Sequence, residues 1–400
     1  MRRSRWFTAA VAVTLAAALG GCAAGAAAPR PSGSVDDPAG ARAASASPSP
    51  TPTATATATP DPVAAYADAR LANMTLRQKV ASLFILHGPG TDGAALRAFA
   101  DRYGLGGLIL MGDNIPATPA ALAAQTAAAN ASEPSLPLLI GTDEEGGDVT
   151  RLPWDGLPGA SELRGQPPRA TQDVFARRAA LLKQAGVNVN FGTVADVTAD
   201  PSSFIYDRVL GTDPGSAAAR VAASVTGERG SVLSTIKHFP GHGETEADSH
   251  RTVPTAAVDR ARWAAQDAPP FRAGVRAGAE LVMFGHLVYG GVDARPASLS
   301  PAWHRILADE LGFHGVTVTD DMRMLQDTGL PEYRDAGANA VQALAAGNTM
   351  ILMVQGAGTD PGAMIDAVVA AVGQGRIPAS TIDADARKVL QLRRSLAPQG

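Results

Sequence analysis

Short apolar runs rich in branched side chains recur along the chain and alternate with longer stretches of helical character. Eight such runs occupy residues 83–86, 107–111, 136–140, 187–191, 232–236, 281–284, 316–319 and 350–354. The stretches between them, such as residues 170–184 and 216–229, are rich in Ala and Arg, which favour helices. Apolar strands separated by helices are typical of a parallel sheet that is covered on both faces. The pattern therefore predicts repeated βα units.

The region that carries this pattern extends from residue 63 to residue 400. A single core seldom grows that large unless the architecture is an α/β barrel. We therefore predict an α/β fold built as one (β/α)8 TIM-type barrel. An open doubly wound sheet, or the two lobes of a binding protein, would show the same alternation, so the periodicity alone leaves both alternatives open.

Polar side chains follow five of the eight apolar runs, each on the carboxyl side of its run. They are the stretch GTDEEGG at residues 141–147, the stretch 190–196, Lys237 with His238, His286, and Asp320 with Asp321. Barrel enzymes place their chemistry on this side, because the loops that follow the strands converge on one mouth. The sequence thus predicts that five strands contribute to one pocket.

The amino terminus has the order of a bacterial secretory signal. Three arginines within the first five residues precede an apolar run at residues 6–19, and small residues then lead to Cys22, the only cysteine in the sequence. The run is too short, and wrongly flanked, for a stable membrane span. The context of Cys22 resembles a lipobox, which predicts a lipoprotein signal peptide over residues 1–21 and lipidation of Cys22. An ordinary secretory signal, in which Cys22 is incidental, is the alternative.

Residues 22–62 are mostly Ala, Pro, Ser, Thr and Gly. Such a composition cannot bury enough apolar surface to order itself, so we predict a disordered tether ahead of the folded domain at residues 63–400. The formal charge of the chain is −4, and it becomes −7 once the three arginines of the signal are removed. This balance argues against a nucleic-acid partner.

Three of the seven histidines lie in the segment KHFPGHG at residues 237–243 and in Asp248-Ser249-His250. Pro240 and the glycines on either side of His242 exclude a helix here, so we expect a loop that carries polar chemistry. The histidines and acids would suffice for a metal site on paper, but the Pro-Gly pair rules out helical pairing of His238 with His242. No Gly-x-Ser-x-Gly nucleophile elbow occurs either.

Acid/base chemistry against a carboxylate is the remaining pattern. On an extended loop, Asp248 and His250 lie on one side, so Asp248 can accept from the imidazole N–H and fix its tautomer. A histidine held in this way exchanges a proton near neutral pH. Asp320, where a predicted strand meets its loop, is the candidate nucleophile. Asp320 or Asp321 could instead cap the following helix, and the pair allows one role each.

Six motifs resemble, in order, those of glycoside hydrolase family 3, and specifically its small bacterial β-N-acetylhexosaminidases. They lie within residues 70–355 and comprise DEEGG (143–147) with RL (151–152), NVNF (188–191), DR (207–208), KHFPGHG (237–243), DSH (248–250) and TDDM (319–322). The resemblance implies that Asp320 forms a covalent glycosyl intermediate and that His250, helped by Asp248, is the acid/base. It also implies the residues that contact the sugar, namely Asp143, Arg151, Arg208, Lys237 and His238.

The implied activity is retaining, exo-acting hydrolysis of terminal N-acetylglucosamine from cell-wall or chitin-derived oligosaccharides, in peptidoglycan turnover, without a metal or another cofactor. The chain departs from the family pattern at Asp148, where a basic residue is usual. It departs again at Val209-Leu210, in place of Ser-Phe, and at Asn348-Thr349, where an acidic residue is common. None of these positions belongs to the implied catalytic pair.

Two alternatives stay open. One is a β-glucosidase or broad-specificity hexosidase of the same family, including a phosphorolytic one, because a neutral histidine repels an anionic acceptor less than a carboxylate would. The other is a sugar-binding lipoprotein without catalysis. The expected partners are the oligosaccharide and, through the lipid anchor, the outer face of the bacterial cell membrane. We expect a monomer.

Overall fold

The computed structural model describes residues 61–245, 247–249, 251–354 and 359–397. The predicted signal peptide, Cys22 and the tether up to residue 60 lie outside these residues, and so does His250. Helix α1 (Pro62–Ala72) begins one residue before the predicted start of the domain, with Asp61 as its N-cap. No helix within the described residues is long and apolar enough to cross a membrane.

The described residues contain ten strands, eight of which form one parallel sheet in the order β10-β1-β2-β3-β4-β5-β7-β9, while β6 and β8 pair separately. The strands are β1 (Phe84–Leu86), β2 (Gly107–Ile109), β3 (Leu139–Thr142), β4 (Val189–Val194), β5 (Leu233–Phe239), β6 (Thr255–Ala256), β7 (Leu281–Phe284), β8 (Val288–Tyr289), β9 (Val316–Thr319) and β10 (Ile351–Met353).

Main-chain hydrogen bonds bring the two edges of the sheet together. The amide of Thr319 donates to the carbonyl of Met350 at 3.2 Å, and the amide of Met350 donates to the carbonyl of Thr317 at 2.9 Å. The sheet is therefore an eight-stranded barrel, as the alternation of apolar runs predicts, and neither an open sheet nor two lobes.

Helices cover the outside of the barrel. In the described residues they are α1, α2 (Leu76–Ala81), α3 (Gly93–Tyr103), α4 (Pro119–Asn130), α5 (Ala160–Leu163), α6 (Pro168–Gln184), α7 (Pro214–Glu228), α8 (Arg260–Gln266), α9 (Ala268–Ala277), α10 (Pro301–Leu311), α11 (Arg323–Asp327), α12 (Ala336–Ala346), α13 (Pro361–Gly373) and α14 (Ala379–Ser395). The predicted helices at residues 170–184 and 216–229 correspond to α6 and α7.

All eight predicted strands are present, with shifted ends in two informative cases. Strand β3 begins three residues later than predicted and includes Thr142, while β5 continues through Lys237 and His238 to Phe239. The expectation of a loop over residues 237–243 is therefore wrong for the first three residues. Main-chain pairing of β5 with β4 and β7 extends beyond the apolar run, because the neighbouring strands also continue at this height.

A hydroxyl or carboxylate followed by proline starts several of the helices that surround the barrel. Asp213 precedes Pro214 and its side chain accepts from the amides of Gly215 and Ser216 at 3.0 and 2.9 Å. The same arrangement occurs at the N-caps of α1, α4, α10 and α13. Proline fits the first helical position because its missing N–H would have no partner there. These dipeptides fix where each helix leaves its loop.

An aromatic group holds the end of β5 in place. The ring of Phe239 meets those of Trp263, Phe271, Phe284 and Trp303 edge to face, with centroids 5.0 to 6.0 Å apart. These rings are buried, and edge-to-face contacts of this kind add to the free energy of burial. Trp263 is thus a core residue. The backbone that carries Lys237 and His238 is consequently anchored in the protein interior.

The N-cap of α7 provides a stability prediction for the fold. We expect Asp213→Ala to lower the free energy of unfolding by about 1 kcal/mol, since two helical amides lose their acceptor. Urea unfolding followed by circular dichroism measures the change. Asp213→Ser keeps a capping oxygen and is the control. An equal loss in both variants would contradict the capping role.

Candidate active site

A pocket of about 140 Å³ opens at the carboxyl ends of the barrel strands. Its polar lining consists of Asp143, Glu145, Arg151, Arg208, Lys237, His238, Asp320 and Asp321. Ile109, Met283 and Leu352 contribute apolar surface from three different strands. A larger cavity of about 380 Å³ lies among residues that precede β1, β2 and β3, at the opposite end of those strands, and includes none of the predicted site residues.

Lys237 is the centre of an ion network on one side of this pocket. Its Nζ lies 2.8 Å from Oδ1 of Asp143 and 2.7 Å from Oε1 of Glu145. Burial lowers the pKa of the Lys237 ammonium, but the charges of Asp143 and Glu145 outweigh burial and hold that pKa above its usual value. Lys237 is therefore a cation at neutral pH and a hydrogen-bond donor of fixed position.

Arg208 joins the same network through a two-pronged contact with Glu145. Its Nε and Nη2 donate to the two carboxylate oxygens at 2.9 and 2.7 Å. Burial alone would raise the pKa of Glu145, but the charges of Lys237 and Arg208 outweigh burial and lower that pKa to about 2. One buried carboxylate thus orients two cations that come from different segments of the chain.

The turn between Glu145 and Arg151 depends on glycine and on a second glutamate. Gly146 has a φ of +84°, and a Cβ on it would lie 2.2 Å from Nη2 of Arg178. Oε2 of Glu144 accepts from the amides of Arg151 and Leu152 at 2.9 Å each. These hydrogen bonds turn the backbone back towards the pocket. There, Nη2 of Arg151 lies 3.6 Å from Oδ2 of Asp143.

Asp320 follows β9 directly and lines the pocket. Burial raises the pKa of its carboxyl, but electrostatic interactions with His238, His286 and Lys237 and the N–H of Asp321 outweigh burial and lower the pKa to about 2. Asp320 is therefore ionised at neutral pH, as a nucleophile must be.

Asp321 has a different part in the same turn. Its Oδ1 accepts from the amides of Arg323 and Val354 at 2.9 Å each, so it ties the start of α11 to the end of β10. Burial raises the pKa of Asp321 to about 7. Both aspartates line the pocket, and Asp321 in addition binds the backbone of α11 and of the residue after β10.

Two histidines of the KHFPGHG segment share one buried carboxylate. Nδ1 of His238 lies 2.7 Å from Oδ2 of Asp196, and the amide of His242 donates to Oδ1 of Asp196 at 2.7 Å. Asp196 follows β4, so these contacts link the ends of β4 and β5. Nε2 of His238 then faces Nη2 of Arg208 at 3.4 Å.

His286 supports the backbone next to Asp320. Its Nε2 donates to the carbonyl of Asp321 at 2.9 Å, and its Nδ1 lies 2.7 Å from the hydroxyl of Ser298. Burial lowers the pKa of His286. A neutral ring that donates through Nε2 accepts through Nδ1, so the hydroxyl of Ser298 donates to it.

The structure brings together six of the eight residues predicted for catalysis and sugar contact, namely Asp143, Arg151, Arg208, Lys237, His238 and Asp320. Asp248 is partly buried and lies in the short described segment 247–249, and His250 lies outside the described residues. Three further residues, Glu145, Asp196 and His286, lie in the polar stretches that the sequence places at this pocket, although the sequence alone assigns none of them an individual role. Each stands two or three residues after the end of a strand.

An ionised carboxylate among charged hydrogen-bond donors, at the carboxyl end of an α/β barrel, is the arrangement of a barrel enzyme's active site. Residues 75–392 match the N terminal domain of glycosyl hydrolase family 3. The chain therefore belongs to this family.

Relatives of known name support the assignment. The chain is 34% identical over 279 residues to a beta-hexosaminidase of Methylococcus capsulatus, which covers 68% of this chain and 81% of that protein. It is 36% identical over 264 residues to a beta-hexosaminidase of Nitrosomonas eutropha, which covers 62% of this chain and 73% of that protein.

Solved structures with the same fold also support the family assignment. A family 3 beta-N-acetylglucosaminidase from Paenibacillus superposes with a TM-score of 0.74 at 32% identity, over 82% of this chain and 64% of that one. A beta-N-acetylhexosaminidase from Beutenbergia cavernae does so with a TM-score of 0.71 at 29% identity, over 80% of this chain and 99% of that one. The structure of M tuberculosis LpqI superposes with a TM-score of 0.73 at 29% identity, over 81% of this chain and 95% of that one.

The paired charges predict how stability depends on pH. We expect Glu145→Gln to lower the free energy of unfolding by on the order of 3 kcal/mol at pH 7, because Lys237 and Arg208 lose a buried counter-charge. The folded-state pKa of Glu145 is depressed from 4.5 to about 2. Its contribution is therefore complete above about pH 5 and disappears as the pH falls towards 2.

Urea unfolding of both proteins between pH 7 and pH 3 measures this difference, which should narrow with falling pH. The matched control is Glu310→Gln, which changes a half-exposed glutamate paired with Arg260. A constant difference between wild type and Glu145→Gln over that range would contradict the assigned ion pair.

Proposed function

We propose that the protein is a retaining, exo-acting β-N-acetylglucosaminidase that removes terminal N-acetylglucosamine from cell-wall or chitin-derived oligosaccharides. The observation that carries the proposal is the ionised carboxylate of Asp320, held at the floor of a pocket rimmed by Arg208, Lys237 and His238. Membership of family 3 and the names of the relatives, beta-hexosaminidase and beta-N-acetylglucosaminidase, support the substrate class.

The proposed reaction has two steps. Asp320 attacks the anomeric carbon while His250 donates a proton to the glycosidic oxygen, so that the carbon–oxygen bond breaks and a glycosyl-Asp320 ester forms. His250 then takes a proton from water, and the water oxygen displaces Asp320 from the same carbon. Asp248 orients the imidazole of His250 in both steps. Two inversions at one carbon leave its configuration unchanged.

Charged donors and acceptors on the pocket wall supply sugar recognition. Lys237, Arg208 and Arg151 offer N–H groups, and the carboxylate of Asp143 accepts from a hydroxyl. Their mutual salt bridges hold these groups in position before the sugar arrives, which lowers the cost of ordering them on binding.

The shape of the pocket supports exo action. Ile109, Met283 and Leu352 from three barrel strands line its inner part, so a saccharide chain cannot thread through the barrel. Only the terminal ring of a chain would then reach Asp320.

The charge balance of the pocket supports water as the acceptor. Among the described lining residues, the side chains of Arg151, Arg208 and Lys237 face four carboxyl groups, those of Asp143, Glu145, Asp320 and Asp321. A phosphate dianion would need surplus positive charge at this place.

We expect Asp320→Asn to reduce hydrolysis of an aryl N-acetyl-β-glucosaminide at least about a thousandfold, because the amide cannot act as the nucleophile. The release of the phenol measures the rate. Asp327→Asn, the same change at a half-exposed aspartate of α11 paired with Arg323, should retain wild-type activity. Full activity of Asp320→Asn would overturn the mechanism.

The same assay separates the alternatives for substrate and acceptor. Faster cleavage of the aryl β-glucoside than of the N-acetylglucosaminide would identify a glucosidase. Formation of a sugar 1-phosphate in phosphate buffer would identify a phosphorylase. Tight binding of N-acetylglucosamine oligosaccharides without any product would identify a sugar-binding lipoprotein.

The proposal extends to the location of the enzyme. The order of charged, apolar and small residues before Cys22, followed by the Pro- and Thr-rich stretch, supports export and a lipid anchor on the outer face of the cell membrane. A monomer on a long tether would reach soluble fragments near that surface.

We expect Cys22→Ser to move the protein from the membrane fraction into the soluble fraction of the host cell, because no thiol remains to be acylated. Immunoblotting of the two fractions measures the shift. Ser49→Ala in the tether is the control and should stay with the membrane. Retention of Cys22→Ser in the membrane fraction would exclude the lipid anchor.

A further inference from the structure

A buried hydrogen bond fastens the segment before His250 to the barrel. Oγ of Ser249 lies 3.0 Å from Nε2 of His242, and the two residues are 3% and 1% exposed. Ser249 stands in the chain between Asp248 and His250. The contact therefore joins the middle of the proposed acid/base pair to the KHFPGHG segment.

The direction of this hydrogen bond follows from the neighbours of His242. Burial lowers the pKa of His242 to about 4, so its ring is neutral at pH 7 and has one donor and one acceptor nitrogen. Oγ1 of Thr245 lies 2.8 Å from the carbonyl oxygen of His242 and 2.9 Å from its Nδ1. Since a carbonyl only accepts, Thr245 donates to it, Nδ1 donates to Thr245, and Nε2 accepts from Ser249.

His242 is itself held rigidly. Its amide donates to Oδ1 of Asp196, which also binds His238, and the ring of Phe204 meets its imidazole edge to face at 5.0 Å. A Cβ at the next residue, Gly243, would lie 1.6 Å from the carbonyl oxygen of Val197. The acceptor offered to Ser249 is therefore fixed with respect to β4 and β5.

We propose that Ser249 is a positioning residue for proton transfer: its hydroxyl, bound to Nε2 of His242, holds Asp248 and His250 in the register that protonates the departing oxygen. This inference rests on the proposed glycosidase function and adds to it a residue that does not touch the substrate. A small side chain with a hydroxyl is needed at position 249. Alanine offers no hydrogen-bond donor to His242, and the site is too buried for a water molecule to replace the lost hydroxyl.

Substitution of Ser249 should lower the rate most for substrates whose leaving group must be protonated. A phenyl glycoside has a poor leaving group that requires protonation, whereas a dinitrophenyl glycoside leaves as a stable anion without it. The value of kcat/KM reports the step in which the glycosidic bond breaks. A defect in proton transfer lowers it for the first substrate only, whereas a general structural defect lowers it for both.

The test measures kcat/KM of the full chain and its variants with phenyl and dinitrophenyl N-acetyl-β-glucosaminides. We expect Ser249→Ala to lose about tenfold or more with the phenyl substrate and less than about threefold with the dinitrophenyl substrate. Ser249→Thr, which keeps a hydroxyl, should regain the phenyl activity. Ser224→Ala is the matched control, since it removes a buried hydroxyl on α7, bonded to Val221 and Thr193, and should leave the ratio of the two substrates unchanged.

An unchanged ratio in Ser249→Ala, or an equal loss with both substrates, would overturn the positioning role while the wild-type enzyme still supports the proposed function. Failure of Ser249→Thr to recover would also overturn it, provided that the dinitrophenyl activity of this variant shows a folded site. A wild-type protein that cleaves neither substrate would overturn the proposed function and this inference with it.

Discussion

The pairing of Lys237 and Arg208 with Asp143 and Glu145 is the interaction on which the rest of the mouth depends. Isolated charges at this depth would be very costly, so each group stays only where the others stay. The four residues come from the ends of β3 and β5 and from the loop between β4 and α7. Their pairing therefore fixes three loops against one another. The low pKa of Asp320 also depends on it, because the positive charge of Lys237 helps to lower that pKa.

The apolar interior supports this polar surface from below. Phe239 follows His238 directly and is surrounded by aromatic rings, while the indole of Trp263 and the hydroxyl of Tyr289 bind the carbonyls of Pro240 and Gly241. The backbone that carries the two functional side chains of β5 is thus fixed by contacts on the far side from the substrate. A site built on a strand anchored in this way holds its geometry better than one built on a free loop.

Much of the fold and of the site follows from the sequence, for physical reasons. A strand buried on both faces must be apolar throughout, so the eight runs identify the barrel strands, and the polar residues after them identify the mouth. The extension of β5 through Lys237 and His238 does not follow, because main-chain pairing with neighbouring strands leaves no mark in side-chain type. The sequence also places Glu145, Asp196 and His286 at the mouth without assigning their roles, since those roles lie in partners that are distant in sequence. A sequence pattern identifies positions along the chain, whereas a network of charges arises only when the folded structure brings distant residues together.

The closed inner end of the pocket has a kinetic consequence. Because Ile109, Met283 and Leu352 line its inner part, the monosaccharide and the shortened chain of the proposed exo reaction would both leave through the opening by which they entered. In that reaction the chain would withdraw before the sugar escapes, so each catalytic cycle would end in full dissociation. An exo-acting enzyme of this shape would be non-processive, and its turnover on long polymers would depend on the concentration of chain ends and not on polymer mass.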